Sequence, residues 1–290
     1  WHAPCVTSVH THYMIDFDSP FHLFAESQES EFIPLITEED EKAMHKQDVP
    51  DNIPLLSLRN TVLFPGVVIP ITVGRDRSIN LIKEANKNKA AIGVVSQKDG
   101  KTEDPSGEDL NRVGTVAKII KMLRMPDGTN TVILQGQRRF SWDKIVQEDP
   151  YLKASVTAFG GVEDLPNNKS TQALIESLKE LAIEIIEMSP TIPSEAAGAI
   201  KNIERLSFLV NFIGSNMNAS VKAKQELLEI SGLEERANKV LQMLNKEKQI
   251  LELKNDIQSK VRDDLDQQQK EYFLNQQMKT IQEELGGVSQ

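Results

Sequence analysis

Val113-Gly-Thr-Val-Ala-Lys-Ile-Ile-Lys-Met-Leu-Arg-Met125-Pro-Asp-Gly-Thr129-Asn-Thr-Val-Ile-Leu-Gln-Gly-Gln-Arg-Arg-Phe140 sets two β-branched runs on either side of one turn. Pro126 presets the first dihedral of that turn and Gly128 accepts a positive φ, so the stretch predicts a hairpin between strands Val113–Met125 and Thr131–Phe140. Alternation along the first strand is incomplete, as in a strand covered in part on both faces. Working outward, four more runs of the same texture precede or follow it: Leu55–Leu58, Val67–Val73, Ala90–Ser96 and Leu152–Phe159. Ser78–Ala85 supplies a single helix between them, with Ser78 as its expected N-cap and Ile79 and Ile82 on one side. Six strands with one crossover helix predict a small, mixed, barrel-like β-subdomain over residues 52–160.

Beyond residue 160 the period changes. Leu174, Leu178, Leu181 and Ile185 recur every three or four positions, and Pro190 and Pro193 break the pattern. A second helix is expected from Ser194, carrying Ile200, Ile203, Leu206, Leu209, Val210 and Ile213 to a stop at Gly214-Ser215-Asn216. A third runs from Ala219 to Ile230. These make an α-helical bundle over 161–232. From Leu233 to Leu285 there is no proline or glycine, which predicts one helix on the order of 75 Å long at about 1.5 Å per residue. Its apolar stripe is thin: Ile250, Leu253, Ile257, Val261 and Leu265, then Leu274, Met278, Ile281 and Leu285. Such a stripe has coiled-coil spacing with an interruption, so residues 233–290 are expected to be a strut or an oligomerisation element. The fold class is therefore α+β.

The chain has 290 residues and a net charge of −10. Residues 1–51 carry eleven acidic residues against two lysines, Lys42 and Lys46, so most of that charge sits on a leader without helix or strand period. The first methionine is Met14, and residues 1–13 read as a scar ahead of it. Residues 52–160 hold 16 basic and 11 acidic residues, too thin an excess for a nucleic-acid interface. Arg138-Arg139 beside Phe140 and Trp142 is the one grouping that suggests RNA stacking, against the simpler reading of a barrel exterior. Cys5 is the single cysteine, so no internal disulfide forms and a cytoplasmic setting is the simplest. No membrane-length apolar run is present.

Catalytic groupings are sparse. All five histidines (His2, His10, His12, His22, His45) lie in the leader, which leaves no Ser-His pair on the folded part. With Cys5 they do not compose a four-ligand metal site on a held scaffold. No glycine-rich loop ends in Lys-Ser/Thr to cradle a phosphate. A Ser-Lys pair survives only formally, at Lys98 and Ser106 in a charged, turn-rich loop where the lysine would stay solvated. The adjacent carboxylates Glu163 and Asp164, or Asp263 and Asp264, read as solvated faces.

Four ordered motifs carry a resemblance. Ile53-Pro-Leu-Leu-Ser-Leu-Arg-Asn-Thr-Val-Leu-Phe-Pro-Gly66, Asp127-Gly-Thr129 leading to Gln135-Gly-Gln-Arg-Arg-Phe140, Lys224-Gln-Glu-Leu-Leu-Glu229, and Gln269-Lys-Glu-Tyr-Phe-Leu-Asn-Gln-Gln-Met-Lys-Thr-Ile-Gln-Glu-Glu-Leu-Gly286 together resemble the N-terminal region of the ATP-dependent Lon protease family. The resemblance covers residues 52–286. Asn275 departs from it, standing where many members have Arg. The Lys98–Ser106 segment only caricatures the family's Lys-Asp-Gly-Pro-Ser catalytic pattern.

The resemblance implies a non-catalytic fragment of an ATP-dependent Ser-Lys protease, whose ATPase module would follow Leu285-Gly286. This fragment is expected to recognise and deliver misfolded and regulatory polypeptides in protein quality control and the stress response. No cofactor is expected in it, while ATP and magnesium are expected for the full-length parent. The parent is expected to be a cytoplasmic homohexamer and the fragment a monomer or weak oligomer, without membrane or nucleic-acid partners. A receptor for unfolded chains needs accessible apolar surface, for which Leu63, Phe64 and Val67, beside the break at Pro65-Gly66, and Met122 and Met125 near the hairpin are the candidates. Leu63 and Phe64 also suit a plug at one end of the barrel. The alternative is a free-standing binding or scaffold protein of the same domain type, distinguished by whether the reading frame continues past Gln290 into a Gly-rich Lys-Ser/Thr loop.

Overall fold

The computed structural model describes residues 49–125, 129–160, 165–166, 168–190 and 192–286. The leader up to residue 48, with its histidines and Cys5, lies outside the described residues, as do the centre of the expected turn at 126–128 and the Glu163–Asp164 pair.

Strands β1 (Asn52–Leu58), β2 (Val68–Val73), β3 (Ile92–Ser96), β4 (Val113–Arg124), β5 (Asn130–Gln147) and β6 (Lys153–Ala158) form one sheet in the order β2-β5-β4-β3-β1-β6. Because β6 also pairs with β5, five of the strands close into a barrel and β2 stands outside the ring. β1 and β3 are parallel, the other pairings antiparallel. That parallel pair requires a crossover, supplied by β2 and helix α1 (Asp76–Asn88). Helix α1 starts at Asp76 rather than at Ser78. The carboxylate in its first turn complements the helix dipole, and the N-cap, Arg75, makes no side-chain capping bond, its guanidinium donating instead to Ser57 Oγ, Gln97 Oε1 and Thr102 O.

β5 continues seven residues past the expected Phe140, to Gln147. Its first part pairs with β2 and β4, while its second part pairs with β6, from Phe140↔Ala158 to Gln147↔Lys153. Register shifts at Thr115/Ala117, Ile119/Lys121 and Trp142/Lys144 let the long strand bend between these duties. Asp143 and Lys144 in the extension lie at exposed positions and hide its period.

Two apolar regions result. Ile53, Leu55, Val95, Val116, Phe140, Trp142, Ala154 and Val156 fill the barrel. The outside of the same sheet packs Leu56, Leu58, Ile69, Ala117, Val132 and Leu134 into a core continuous with the helices. Those helices are α2 (Lys169–Met188), α3 (Glu195–Lys201), α4 (Leu206–Asn216) and α5 (Val221–Glu229). Caps place two starts: Asn168 Oδ1 accepts from Thr171 N at 2.8 Å and Ser220 Oγ from Ala223 N at 3.2 Å. The single helix expected across 194–213 is two, interrupted at residues 202–205. Ile200, Ile203 and Leu206 are all buried across the interruption, so the apolar spacing runs on where the helix does not.

Helix α6 (Leu233–Gly286) begins in the bundle, burying Leu233, Ala237, Val240 and Leu244. Its last tie to α2 is Asn255 Nδ2 donating to Met188 O at 3.5 Å. From Asp256 to Glu284 its side chains are exposed, including Ile257, Val261, Leu265, Tyr272, Phe273, Leu274, Met278 and Ile281. At about 100° per residue, the Ile250–Leu265 stripe and the Leu274–Ile281 stripe lie about 110° apart around the helix. The exposed aliphatic positions and Met278 thus form two stripes on different faces, and Phe273 lies on neither.

Candidate functional site

The loop after β1 buries three of the expected contact residues. Leu63 is 2% exposed, Phe64 0% and Val67 6%, all in the core. Thr115 Oγ1 donates to Leu63 O at 2.6 Å, and the Gly66 N–H donates to Gly136 O at 2.9 Å. Gly136 has no Cβ for a reason: one would collide with the Phe64 carbonyl. The Phe64 ring lies against Gly214 of α4, so the segment fastens the sheet to the bundle and offers no surface to a ligand in this conformation. The sequence break at Pro65-Gly66 marks a tight turn, with Gly66 at φ 79°.

The hairpin behaves differently. Past the barrel, β2, β5 and the end of β4 continue as a three-stranded blade. Across it, Ile119–Leu134–Ile69 and Met122–Val132–Ile71 stand in register on the core side. The alternate rows, Lys118–Gln135–Val68, Lys121–Ile133–Pro70 and Leu123–Thr131–Thr72, face the other way. Lys118 and Lys121 are exposed, while Leu123, Ile133, Val68 and Pro70 are half-buried. Ile120, the extra residue at the bulge, is 51% exposed, and Met125 at the end of the hairpin is 43% exposed. Met122 is half-buried against the core, so of the two methionines only Met125 is open. No acidic residue occurs on β2, on β4 or on β5 before Asp143. β2 pairs only with β5 among the described residues, and Pro70 within it suits such an edge.

This face therefore combines apolar side chains, lysines and an open strand edge, which is what adhesion to an exposed apolar, extended chain requires. Of the residues named from sequence only Met125 lies on this face, whose other members are Ile120, Leu123, Ile133, Val68 and Pro70. The discoverable signal was the acid-free run on β4 and β5; the bulge that turns Ile120 outward was not discoverable.

The other groupings resolve structurally. Ser106 Oγ donates to Asp109 Oδ2 at 2.7 Å and its N–H donates to the same oxygen at 2.8 Å, a capping arrangement that holds the Asp109 carboxyl below the usual range. Lys98 Nζ is spent on Glu108 O at 2.8 Å, so no Ser-Lys dyad forms. Phe140 and Trp142 point into the barrel and are unavailable for stacking on bases. Arg139 is buried and crosses to the bundle: Nη1 donates to Leu228 O at 2.8 Å and Ile230 O at 2.6 Å, and Nη2 to Ser231 O at 3.1 Å. It collects the orphan carbonyls at the end of α5, where the helix dipole favours a cation. Gln225 adds a second crossing, with Nε2 donating to Val113 O at 3.0 Å and Ser96 Oγ donating to Oε1 at 2.7 Å. Among the described residues no group of His, Cys, Asp and Glu could hold a metal ion, and no helix is long and apolar enough to cross a membrane.

The family model for the ATP-dependent protease La (LON) substrate-binding domain matches residues 52–246. The chain belongs to the Lon substrate-binding domain family. Its match spans the barrel, the bundle and the root of α6. A Lon protease of Flavobacterium johnsoniae is 60% identical over 90% of this chain, and one of Cytophaga hutchinsonii 48% identical over 89%. The chain spans 32% of the length of each, and its match falls on the substrate-binding part rather than the protease part of Lon. The solved N-terminal domain of Mycobacterium avium complex Lon protease aligns at 20% identity with a TM-score of 0.55, covering 67% of this chain and 98% of that one, and shows the same fold. The chain's mixed α+β architecture of six-stranded sheet and helices is thus that of a Lon N-terminal domain.

Proposed function

We propose that this Lon substrate-binding domain engages unfolded or degron-bearing polypeptides on the outer face and open edge of the β2-β5-β4 blade and delivers them to an ATP-dependent Ser-Lys protease. The observation carrying the reading is the acid-free blade surface of Ile120, Leu123, Ile133, Val68, Pro70 and Met125, set on a domain of this family. Extended chains add to a sheet edge through backbone bonds, and the face supplies apolar and cationic contacts. The whole protease is a cytoplasmic homohexamer that uses ATP and magnesium in quality control and the stress response, and its serine-lysine chemistry lies outside this chain. In that assembly α6 spaces the receptor from the ATPase ring. The two exposed stripes of α6 meet neighbouring helices in interrupted coiled-coil contacts that depend on the ring for effective concentration.

The test is binding of a fluorescently labelled, permanently unfolded polypeptide to the chain and to the variants Leu123→Asp and Met125→Asp. Each is expected to weaken binding about tenfold, ~1.4 kcal/mol, with the melting temperature unchanged. Undiminished binding by both folded variants rejects the blade as the contact surface.

A further inference from the structure

The leader and the blade are complementary in both charge and apolar pattern. Residues Glu26-Ser-Gln-Glu-Ser-Glu-Phe-Ile-Pro-Leu-Ile-Thr-Glu-Glu-Asp-Glu41 place one apolar block, Phe32 to Ile36, between acidic flanks, Glu26, Glu29 and Glu31 on one side and Glu38 to Glu41 on the other, with no basic residue. The blade face is the converse. It has an apolar centre at Leu123, Ile133 and Pro70, with Lys118 and Lys121 beside it and no carboxylate on its strands before Asp143.

Topology brings the two together. Val49 packs with Ala91, Ile145 and Leu152 against the barrel interior, at the end of the barrel where β1 begins. Leu55 of β1 is level with Gly93 of β3, which is level with Val116 of β4. Stepping back along β1 therefore leads to the level of Ile119, where the blade leaves the barrel. Val116 faces the barrel interior, and Lys118, one strand period on, belongs to the blade's outer face. The chain thus enters the fold at the barrel mouth beneath that face. Fifteen residue steps lead from Ile36 to Asp51. At about 3.3 Å each they reach up to ~50 Å, while the blade from Lys118 to Met125 is only ~23 Å long.

We infer that residues 26–41 dock on the outer face of the blade as an intramolecular occupant, held by the apolar block and the flanking carboxylates. The tether supplies a local concentration on the order of millimolar, enough for a weak contact to persist. An occupant there competes with an unfolded polypeptide; this consequence, unlike the docking itself, rests on the substrate reading above.

The experiment uses the whole chain in a Cys5→Ser background with a spin label on Ser30→Cys and methyl-labelled isoleucine and leucine. The Ile120, Leu123 and Ile133 methyl signals are expected to lose most of their intensity at low salt and to regain it near 0.5 M salt, roughly where screening shortens to a few ångströms. They are also expected to regain it in Lys118→Glu/Lys121→Glu. Undiminished blade signals, or broadening confined to Ile257 and Ile281 on α6, overturn the docking. Reversing Glu38, Glu39, Asp40 and Glu41 to lysine is expected to raise affinity for the labelled unfolded polypeptide about tenfold. Broadening on the blade that the polypeptide neither relieves nor competes with leaves the docking standing and sinks the substrate reading alone.

Discussion

Lys224 is the side chain whose burial has the clearest measurable consequence. It leaves α5 beneath the end of α4, donating from Nζ to Ser215 O at 2.7 Å, and it faces Glu247 of α6. Burial pushes its ammonium down to about 8, with Glu247 opposing the shift, and burial likewise raises the Glu247 carboxyl. For Lys224 the folded value lies below that of the unfolded chain, so between them the unfolded state binds more protons and stability rises with pH. The window is pH 8 to 10, with a slope of up to about 1.4 kcal/mol per unit. Glu247 acts in the acid range with the reverse sign: its raised folded value means that its contribution is lost as pH rises through that value. Above pH 10, Tyr151, pushed up to about 12 by burial and by Glu84, opposes the Lys224 gain. Chemical denaturation at intervals from pH 7 to 10 is expected to show the rise in the wild type and to lose it in Lys224→Met. A flat wild-type profile contradicts the burial of a charged lysine at this site.

Between elements, the sheet and the bundle are joined by polar crossings at one end and by apolar packing at the other. Arg139 is the centre of the polar set, since a strand residue satisfies the terminal carbonyls of a helix nearly ninety positions later. Arg139→Lys retains charge but has no planar fork to serve Leu228, Ile230 and Ser231 together. It is expected to lower unfolding free energy by about 2 to 3 kcal/mol in denaturant titration, because buried acceptors lose charge-assisted bonds. Full stability in that variant removes the clamp from the account. The hairpin, the crossover helix and the bundle were legible because Pro126, Gly128, Pro190 and Pro193 punctuate strong periods. The buried fate of Leu63 and Phe64 was half legible, as a barrel plug. It actually depends on Gly136 and Gly214, residues distant in sequence that make room for them. The division of α3 from α4 was hidden because buried apolar residues continue across it. The blade could not be foreseen as a face, because membership of β2 and the register shifts in β4 decide which side chains point away from the core.

At the scale of the molecule, α6 is two things in one helix. Its first turns are core, Lys248 Nζ on Glu184 Oε2 at 2.7 Å, Leu251 and Asn255 hold its next turns to the bundle, and from Asp256 to Glu284 it is exposed. Ending the chain after Asp256 is therefore expected to change unfolding free energy by less than about 0.5 kcal/mol, the range of ordinary surface changes. Ending it before Val240 removes buried side chains and is expected to cost several kcal/mol. Thermal and denaturant unfolding of the two truncations checks the contrast, and equal losses contradict a fold that is complete by residue 256. The free part of α6, some thirty residues at about 1.5 Å each, is ~45 Å long, so a tilt of only ~5° at its root displaces the far end by about 4 Å. The bundle thus acts as the short arm of a lever. Small changes in how Asn255 and Lys248 seat on α2 are magnified at the opposite end, and a load applied there returns to the barrel as torque on the bundle.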